Sequence, residues 1–218
     1  MSLSGIAKRP SIRTERALAG LESARIAGVD EAGRGPWAGP VVAAAVMFKS
    51  AKIPRGLDDS KRLSPERRCE LYEVICDRAW IGVGIVSVDD IDQLNILQAA
   101  LRAMAHSIAG LFSSPDVVLV DGNCAPPIAH RAVPVVEGDQ RCPSIAAASI
   151  IAKVTRDRLM ERLSDDFPAY SWHSNKGYGT RAHARAIAEY GITPHHRRSF
   201  APIRAVLRDD PALRGPPI

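Results

Sequence analysis

Apolar stretches along the chain predict five strands separated by turns and helices. Two runs rich in Val and Ala, residues 26–30 and 41–48, flank the turn-forming segment GRGP, which predicts a hairpin with a wide loop. Three further strands are expected in WIGVGIVSV, in DVVLVDGN and at residues 133–136. The continuous apolar run DVVLVDGN is typical of a strand buried on both faces.

Helical periodicity fills most of the remaining chain. A helix is predicted over residues 65–77, because Ser64 and Pro65 form a helix start. The segment SVDDIDQLNILQAALRAMAHSIAGL predicts one long amphipathic helix that ends near Gly110. Another helix is expected in SIAAASIIAKVTRDRLMERL, with Ser144 as its cap. Three strands followed by alternating strands and helices indicate a mixed α/β sheet.

The length of 218 residues fits one domain with short terminal additions. We expect a flexible, basic N-terminal arm over residues 1–24 and a catalytic domain over residues 25–205. The last part of that domain, residues 167–205, is expected to be helical and rich in loops. Residues 206–218 are predicted to be a mobile C-terminal tail.

Composition and charge narrow the possible functions. No apolar stretch approaches a membrane span, and the basic N-terminus lacks the apolar core of a signal peptide. The four cysteines show neither zinc-site nor disulfide spacing, so we expect reduced thiols in a cytoplasmic protein. A net charge of +5 favours a polyanionic partner.

Acidic residues stand at the predicted strand ends. Asp30 and Glu31 end the first strand, Asp121 ends the run VVLV, and Asp139 precedes the helix at Ser144. Each acid alone could be structural, but together they could form a cluster of hard oxygen ligands for Mg²⁺ or Mn²⁺. Such clusters can hold two ions for phosphodiester cleavage. Because neighbouring strand residues point to opposite faces, Asp30 and Glu31 can share a site only if the strand ends between them.

Three other features have less specific interpretations. The segment GRGPWAG does not match the dinucleotide-binding spacing, and a second strand follows it where a helix would be required. Asp157 lies among basic residues of a predicted helix and is interpreted as a paired structural acid. The cluster at residues 195–198 could be a metal site or a phosphate-facing patch, and the absence of a nearby Cys or acid favours the patch; an ordinary solvated cluster is the other interpretation.

Seven ordered motifs over residues 25–204 resemble bacterial ribonuclease HII, the type 2 ribonuclease H. These are DEAGRGPWAGPV, LDDSKRLS, LNILQAAL, VLVDGN, SIAAASIIAKVTRDRLM, NKGYGT and HRRSFAP. The resemblance implies a ribonuclease H-like mixed five-stranded sheet flanked by helices, with a C-terminal helical extension. It also implies an endoribonuclease that cleaves the RNA strand of RNA/DNA hybrids and nicks DNA on the 5′ side of embedded ribonucleotides.

The resemblance further implies which residues act. Two-metal hydrolysis with Mg²⁺ or Mn²⁺ would leave 5′-phosphate and 3′-hydroxyl ends, as in ribonucleotide excision repair. The family's acidic positions fall on Asp30, Glu31, Asp121 and Asp139. The implied substrate contacts are backbone groups of Gly33, Arg34 and Gly35 to the ribose 2′-hydroxyl, the ring of Tyr178 on the following deoxyribose, and phosphate contacts from Lys61, Arg197 and Arg198.

Two other functions fit parts of the pattern. Another nuclease on the same fold that uses carboxylates and metals, such as an exonuclease or a transposase-like enzyme, would need no contact with a 2′-hydroxyl. A non-catalytic hybrid-binding protein would not need the acids, whose charge opposes binding of a polyanion. We expect a monomeric cytoplasmic enzyme that binds RNA/DNA hybrid or ribonucleotide-containing duplex and no membrane.

Overall fold

A computed structural model describes residues 9–20 and 25–209. The strands are β1 Ile26–Ala32, β2 Val41–Phe48, β3 Ala79–Val86, β4 Val117–Asp121 and β5 Arg131–Val135. The helices are α1 Ile12–Ala19, α2 Pro65–Arg78, α3 Val88–Leu94, α4 Ile96–Ala109, α5 Pro143–Asp166, α6 Trp172–Asn175, α7 Arg181–Tyr190 and α8 Ala201–Asp209. Short 3₁₀ turns span Gly138–Gln140 and Pro168–Tyr170.

The five strands form one mixed sheet in the order β3-β2-β1-β4-β5. β1 and β2 pair in antiparallel fashion, as do β2 and β3, whereas β4 runs parallel to both β1 and β5. This topology confirms the predicted mixed sheet and the predicted hairpin. It also places the parallel strands β1 and β4 side by side, with Val29 opposite Val120.

Helices cover both faces of the sheet. On one face α3 and α4 pack on residues such as Val29, Val41 and Val120. On the other face α2 and α5 pack on residues such as Ala44 and Val46. Helix α5 lies so close to β1 that a Cβ at Gly28 would stand 2.2 Å from the backbone of α5. The long helix α5 is therefore fixed against the strand that carries Asp30 and Glu31.

The prediction of one long helix in the segment that begins at Ser87 is wrong in one respect, because this segment forms two helices, α3 and α4. Asn95 separates α3 from α4 and adopts a left-handed φ of 72°. Its side chain accepts hydrogen bonds from the amides of Leu97 (3.0 Å) and Gln98 (3.1 Å). Asparagine caps helices well, so it starts a new helix where apolar periodicity alone predicts continuation.

The start of α5 also differs from the prediction. The helix begins at Pro143, so Ser144 lies inside its first turn and is not the cap. Both the amide and the hydroxyl of Ser144 donate to the buried carboxylate of Glu15, at 2.8 and 2.9 Å. Glu15 belongs to α1, a helix within the segment for which the sequence predicts a flexible arm. A carboxylate from a distant helix thus satisfies one of the backbone amides that have no partner within the first turn of α5.

The C-terminal part forms a separate apolar cluster beside the sheet. Met160, Trp172, Ile187 and Ile203 are buried there, with contributions from α5 to α8. Helix α8 ends at Asp209, four residues after the predicted end of the domain at position 205. The rest of the predicted tail lies outside the described residues, as does half of the predicted arm, residues 1–8 and 21–24.

Candidate active site

Two acids meet at the carboxyl ends of the central strands. The parallel pairing of β1 and β4 reaches Val29 and Val120, so Asp30 and Asp121 are the next residue on each strand. Asp30 is only 6% exposed. Because both strands point in the same direction, their ends bring these two carboxylates to one edge of the sheet, as the sequence predicted.

The other two acids complete this edge. Asp139 lies in the 3₁₀ turn after β5, and the preceding amide of Gly138 donates to Asp121 Oδ1 at 2.7 Å. Glu31 lies within β1, which continues to Ala32 along β2, so the expected end of the strand between Asp30 and Glu31 is wrong. Asp30 and Glu31 nevertheless line the same cavity, because both follow Val29, the last residue of β1 that pairs with β4.

All four predicted acids line one cavity of about 500 Å³. We call it the acid cavity. The same cavity is lined by the predicted substrate contacts Gly33, Arg34, Gly35, Lys61 and Tyr178. The structure thus brings together nine of the eleven predicted site residues, and Arg197 and Arg198 are not among its lining residues.

The acids of this cavity are held in an unfavourable electrostatic environment. Burial, followed by the charges of Glu31 and Asp121, raises the pKa of Asp30 well above its usual value. Burial also raises the pKa of Asp121, against the effect of the hydrogen bond from Gly138. Burial and the charges of Asp121 and Asp59 raise the pKa of Asp139 to about 6. A bound cation would relieve both the burial cost and the repulsion.

The donor set fits a hard divalent cation, since it offers carboxylate oxygens from several elements around one opening. Among the residues that the structure describes, no three His, Cys, Asp or Glu side chains stand close enough to hold an ion as they are placed. Binding would therefore require these carboxylates to move towards one another. A cation between the carboxylates would neutralise the repulsion that opposes that movement.

Residues 33–40, here called the glycine loop, contribute Gly33, Arg34 and Gly35 to the wall of the acid cavity. Gly33 and Gly39 adopt φ values of +99° and +86°, which favour glycine. Arg34 is exposed on the loop, and its guanidinium donates to Glu31 Oε1 at 3.0 Å. Gly35 faces Tyr178, since a Cβ at this position would lie 3.5 Å from the tyrosine ring. The loop and Tyr178 therefore form one continuous surface.

Arg197 lies beneath the glycine loop, which corrects its prediction as a phosphate contact. The side chain is fully buried, at 0% exposure. Its guanidinium donates to the carbonyls of Gly33 (2.6 Å), Arg34 (3.1 Å) and Gly39 (2.8 and 2.9 Å), with a longer bond to Pro40. Each of its three nitrogens donates to loop backbone and the side chain is enclosed, so Arg197 is not placed to meet a substrate phosphate.

A second buried arginine supports the loop from α5. Arg156 is 1% exposed and donates to the carbonyls of Pro40 and Ala38, both at 3.0 Å. It also donates to the carbonyl of Lys176 at 2.9 Å. Arg156 therefore ties the glycine loop to the segment that carries Tyr178. Burial lowers the pKa of Arg156 to about 10 and that of Arg197 to about 9, so both stay charged at neutral pH.

Buried histidines hold the backbone of Tyr178, whose side chain is 47% exposed. The amide of Thr193 donates to His196 Nδ1 at 2.9 Å, so the proton of neutral His196 lies on Nε2. That group donates to His183 Nε2 at 3.0 Å, which leaves His183 Nδ1 to donate to the Tyr178 carbonyl at 3.0 Å. Burial is the main cause that lowers the pKa of His196 to about 3, which keeps this pair neutral.

The remaining predicted contacts separate into two places. Lys61 is exposed at the mouth of the acid cavity, and its charge acts on Asp139. Arg198 is exposed on another surface, beside Arg204 and Arg208 of α8, and its amide donates to Asp92 at 2.8 Å. Asp157 pairs with Lys153 at 2.7 Å, as the sequence predicted.

Several residues of the cavity wall are absent from the sequence predictions. Ser149, Lys153 and Arg156 line it from one face of α5, and Ser60 hydrogen-bonds to Ser149 at 2.9 Å. Ser149, Lys153 and Arg156 are spaced i, i+4, i+7, so they share one face of a helix, and this spacing could have identified them.

All four cysteines are free in the part of the chain that the structure describes. None of the helices in that part has the length and apolar character of a membrane span.

Comparison with known proteins identifies the family. A family model described as Ribonuclease HII matches residues 27–203. The chain belongs to the ribonuclease HII family. A ribonuclease HII of Roseobacter denitrificans is 51% identical over 191 residues, which cover 87% of this chain and 96% of that relative. The chain is thus an endoribonuclease of the ribonuclease H class that acts on RNA/DNA hybrids.

Solved structures share the ribonuclease HII fold described above. The ribonuclease H2 from Pyrococcus horikoshii OT3 has a TM-score of 0.73 and 27% identity, over 88% of this chain and 99% of that one. Bst-RNase HIII, solved in complex with Mn²⁺, has a TM-score of 0.70 and 21% identity, over 88% of this chain and 72% of that one. The second likeness concerns the fold alone.

Proposed function

We propose that this ribonuclease nicks DNA on the 5′ side of an embedded ribonucleotide, as well as cleaving the RNA strand of hybrids. The observation that carries the proposal is the single acid cavity, which combines four acids with the glycine loop and Tyr178. A nuclease that ignored the ribose would need the acids alone. This shared lining supports the proposal, because the acids that would serve cleavage lie beside groups that could contact a ribose and the sugar that follows it.

Asp30, Glu31, Asp121 and Asp139 would hold two divalent ions, Mg²⁺ or Mn²⁺, between them. Bound ions would lower the pKa of an attacking water and stabilise charge on the scissile phosphate, so that 5′-phosphate and 3′-hydroxyl ends form. The Mn²⁺ in the structure of Bst-RNase HIII, a protein of the same fold, is consistent with this assignment. The raised pKa of Asp30 supports it further, because buried carboxylates without a cation repel one another.

The substrate contacts follow from the cavity wall. Backbone groups of Gly33, Arg34 and Gly35 would contact the 2′-hydroxyl, since only that group distinguishes RNA from DNA at one position. The exposed ring of Tyr178 would pack on the next deoxyribose, and Lys61 would contact a phosphate. Arg198 stands apart from the cavity and could meet only a more distant part of the duplex backbone.

The enzyme is proposed to act as a monomer in the cytoplasm. The free cysteines suit a reducing compartment, where nucleic acid substrates also occur.

Cleavage of an end-labelled DNA duplex with one ribonucleotide tests the proposal. The reaction is run with Mg²⁺, with Mn²⁺ or with a chelator, and the products are mapped at nucleotide resolution. A single metal-dependent cut on the 5′ side of the ribonucleotide is expected. Digestion from the DNA ends would favour an exonuclease, and binding without any cut would favour a hybrid-binding protein.

A further inference from the structure

The hydrogen bonds of Arg197 determine which way the peptide groups of the glycine loop face. The guanidinium of Arg197 donates hydrogen bonds to the carbonyls of Gly33, at 2.6 Å, and Arg34, at 3.1 Å. In a planar trans peptide the carbonyl and the following N–H point in opposite directions. The amides of Arg34 and Gly35 therefore point away from the buried guanidinium. Since Gly33, Arg34 and Gly35 line the acid cavity on their other side, that direction is towards the cavity.

These two amides are available donors. Within the ranges 9–20 and 25–209, neither the Arg34 nor the Gly35 amide donates to another protein group. Successive N–H groups that follow a left-handed residue form a concave donor site, and Gly33 has a φ of +99°. An oxygen placed over this turn could accept from both amides at once. The chain thus presents a preformed oxygen-binding site beside the acids.

We propose that Arg197 is a positioning residue for ribose selectivity, which directs the amides of Arg34 and Gly35 at the 2′-hydroxyl oxygen. The inference rests on the proposed function, because it assigns the cause of the loop geometry that this function needs. Arginine suits the role because its planar fork can donate to several carbonyls at fixed angles, whereas a lysine ammonium cannot reproduce that geometry.

Arg156 has a different part in the same wall. Its bonds reach Ala38, Pro40 and Lys176, and none of them goes to the carbonyls of Gly33 or Arg34. It therefore fixes the base of the glycine loop and its distance from Tyr178, while Arg197 sets the peptides at the cavity. This division predicts different effects for changes at the two arginines.

The test compares the R197K and R197M variants with the wild type and with R162M. Arg162 is an exposed arginine of α5 outside the cavity wall, so R162M controls for loss of one positive charge. For a duplex with one ribonucleotide, kcat/KM of R197K should fall by about 10- to 100-fold, because the amides of Arg34 and Gly35 would no longer be aligned on the 2′-hydroxyl. Affinity for an all-DNA duplex should stay within about twofold of the wild type, because phosphate contacts carry that binding.

A merely structural role would give another pattern. In that case R197K would lower all-DNA affinity and ribonucleotide cleavage together, or would lower neither, and either outcome would overturn the inference. If the wild type itself fails to cut at the ribonucleotide, the proposed function is wrong. If the wild type cuts there and R197K cuts equally well, only the role of Arg197 is wrong.

A measurement on the wild type keeps the proposal testable if both variants fail to fold. Amide hydrogen exchange of Arg34 and Gly35 is followed in chelator, so that the substrate stays intact. Exchange should be fast in the free protein, slowed by a ribonucleotide-containing duplex, and slowed less by the same duplex without the ribose hydroxyl. Protection of either amide in the free protein, or equal protection by both duplexes, would contradict the proposed orientation.

Discussion

The two sides of the glycine loop hold buried charges of opposite sign, and the partners of those charges differ. On the cavity side Asp30 and Asp139 are 6% and 8% exposed, and the carboxylates around them add repulsion. Against the loop backbone, Arg156 and Arg197 are 1% and 0% exposed, and both donate hydrogen bonds to the carbonyls around them.

The difference separates a site that needs a ligand from one that is complete. A buried charge is costly unless it is paired or hydrogen-bonded. The arginines satisfy this condition within the chain, so their role is to hold the loop. The acids accept hydrogen bonds from backbone amides but repel one another, and a cation from outside would relieve that repulsion. Burial alone therefore does not mark a functional residue, but burial without suitable partners does.

The largest effect should come from Asp30→Asn, which tests the acid side. The substitution removes the negative charge but keeps the shape of the side chain. The Asn oxygen can still accept the hydrogen bond that the Glu31 amide donates to Asp30 at 2.7 Å. Cleavage should fall at least about 1000-fold, equivalent to roughly 4 kcal/mol of transition-state stabilisation. The thermal unfolding midpoint should not fall, because a repulsive charge is lost. Substantial activity in a well-folded variant would refute the role of Asp30.

The opposite result is expected for stability on the arginine side. Arg197→Met leaves several buried carbonyls without a donor, so the free energy of unfolding should fall by about 3 kcal/mol or more. Urea unfolding measures this change. Arg162→Met, on the surface of α5, should cost less than about 0.5 kcal/mol. Equal costs for the two variants would mean that the loop does not depend on Arg197.

The histidine pair beside the arginines offers a pH-dependent comparison. The pKa of His196 is lowered to about 3, so below about pH 6.5 the unfolded chain binds a proton there that the folded chain does not. The stability that neutral His196 contributes is therefore lost as the pH falls. The stability difference between the wild type and His196→Gln should shrink by about 2 kcal/mol from pH 7 to pH 5. A difference independent of pH would contradict this account.

A smaller effect is expected at the substrate surface of the cavity. Tyr178→Ala removes an exposed ring, so kcat/KM at a single ribonucleotide should fall about tenfold, within the range for lost stacking contacts. Tyr190→Ala is the matched control, because Tyr190 is also exposed but does not line the cavity. Unchanged rates at single ribonucleotides for Tyr178→Ala would remove its proposed contact with the following sugar.

The smallest change should follow from Asp157→Asn. Its pair with Lys153 is partly exposed, and such pairs contribute roughly 0.3–0.5 kcal/mol. Thermal unfolding should show a correspondingly small shift, and cleavage should stay at the wild-type rate. A loss of activity comparable to that of Asp30→Asn would place Asp157 among the acids of the site.

The acid side of this comparison is predictable from the sequence, for a physical reason. Strand periodicity locates strand ends, and parallel neighbours bring those ends together, so local patterns alone suffice to pair Asp30 with Asp121. The family resemblance supplied Asp139, whose turn has no strong signal of its own. The hairpin and the cap of α2 at Ser64, which accepts from Arg67, also followed from local residues.

The arginine side could not be predicted, because its contacts are not local. Arg197 and its acceptor Gly39 are 158 positions apart, and a basic residue in HHRRSF resembles any surface charge until the chain is folded. Helix α1 was missed for the same reason, since Glu15 acts through Ser144, which is 129 positions away. The break at Asn95 depends on one residue's conformation, which apolar periodicity does not detect.

Thermal unfolding with increasing Mn²⁺ tests most directly the claim that the acid cavity is the part of the molecule that needs a ligand. Ligands that bind the folded state raise the unfolding midpoint. The wild type and Arg162→Met should both become more stable as Mn²⁺ is added, whereas Asp30→Asn should respond little. An equal rise in Asp30→Asn, or no rise in the wild type, would contradict the assignment of the acids as a cation site.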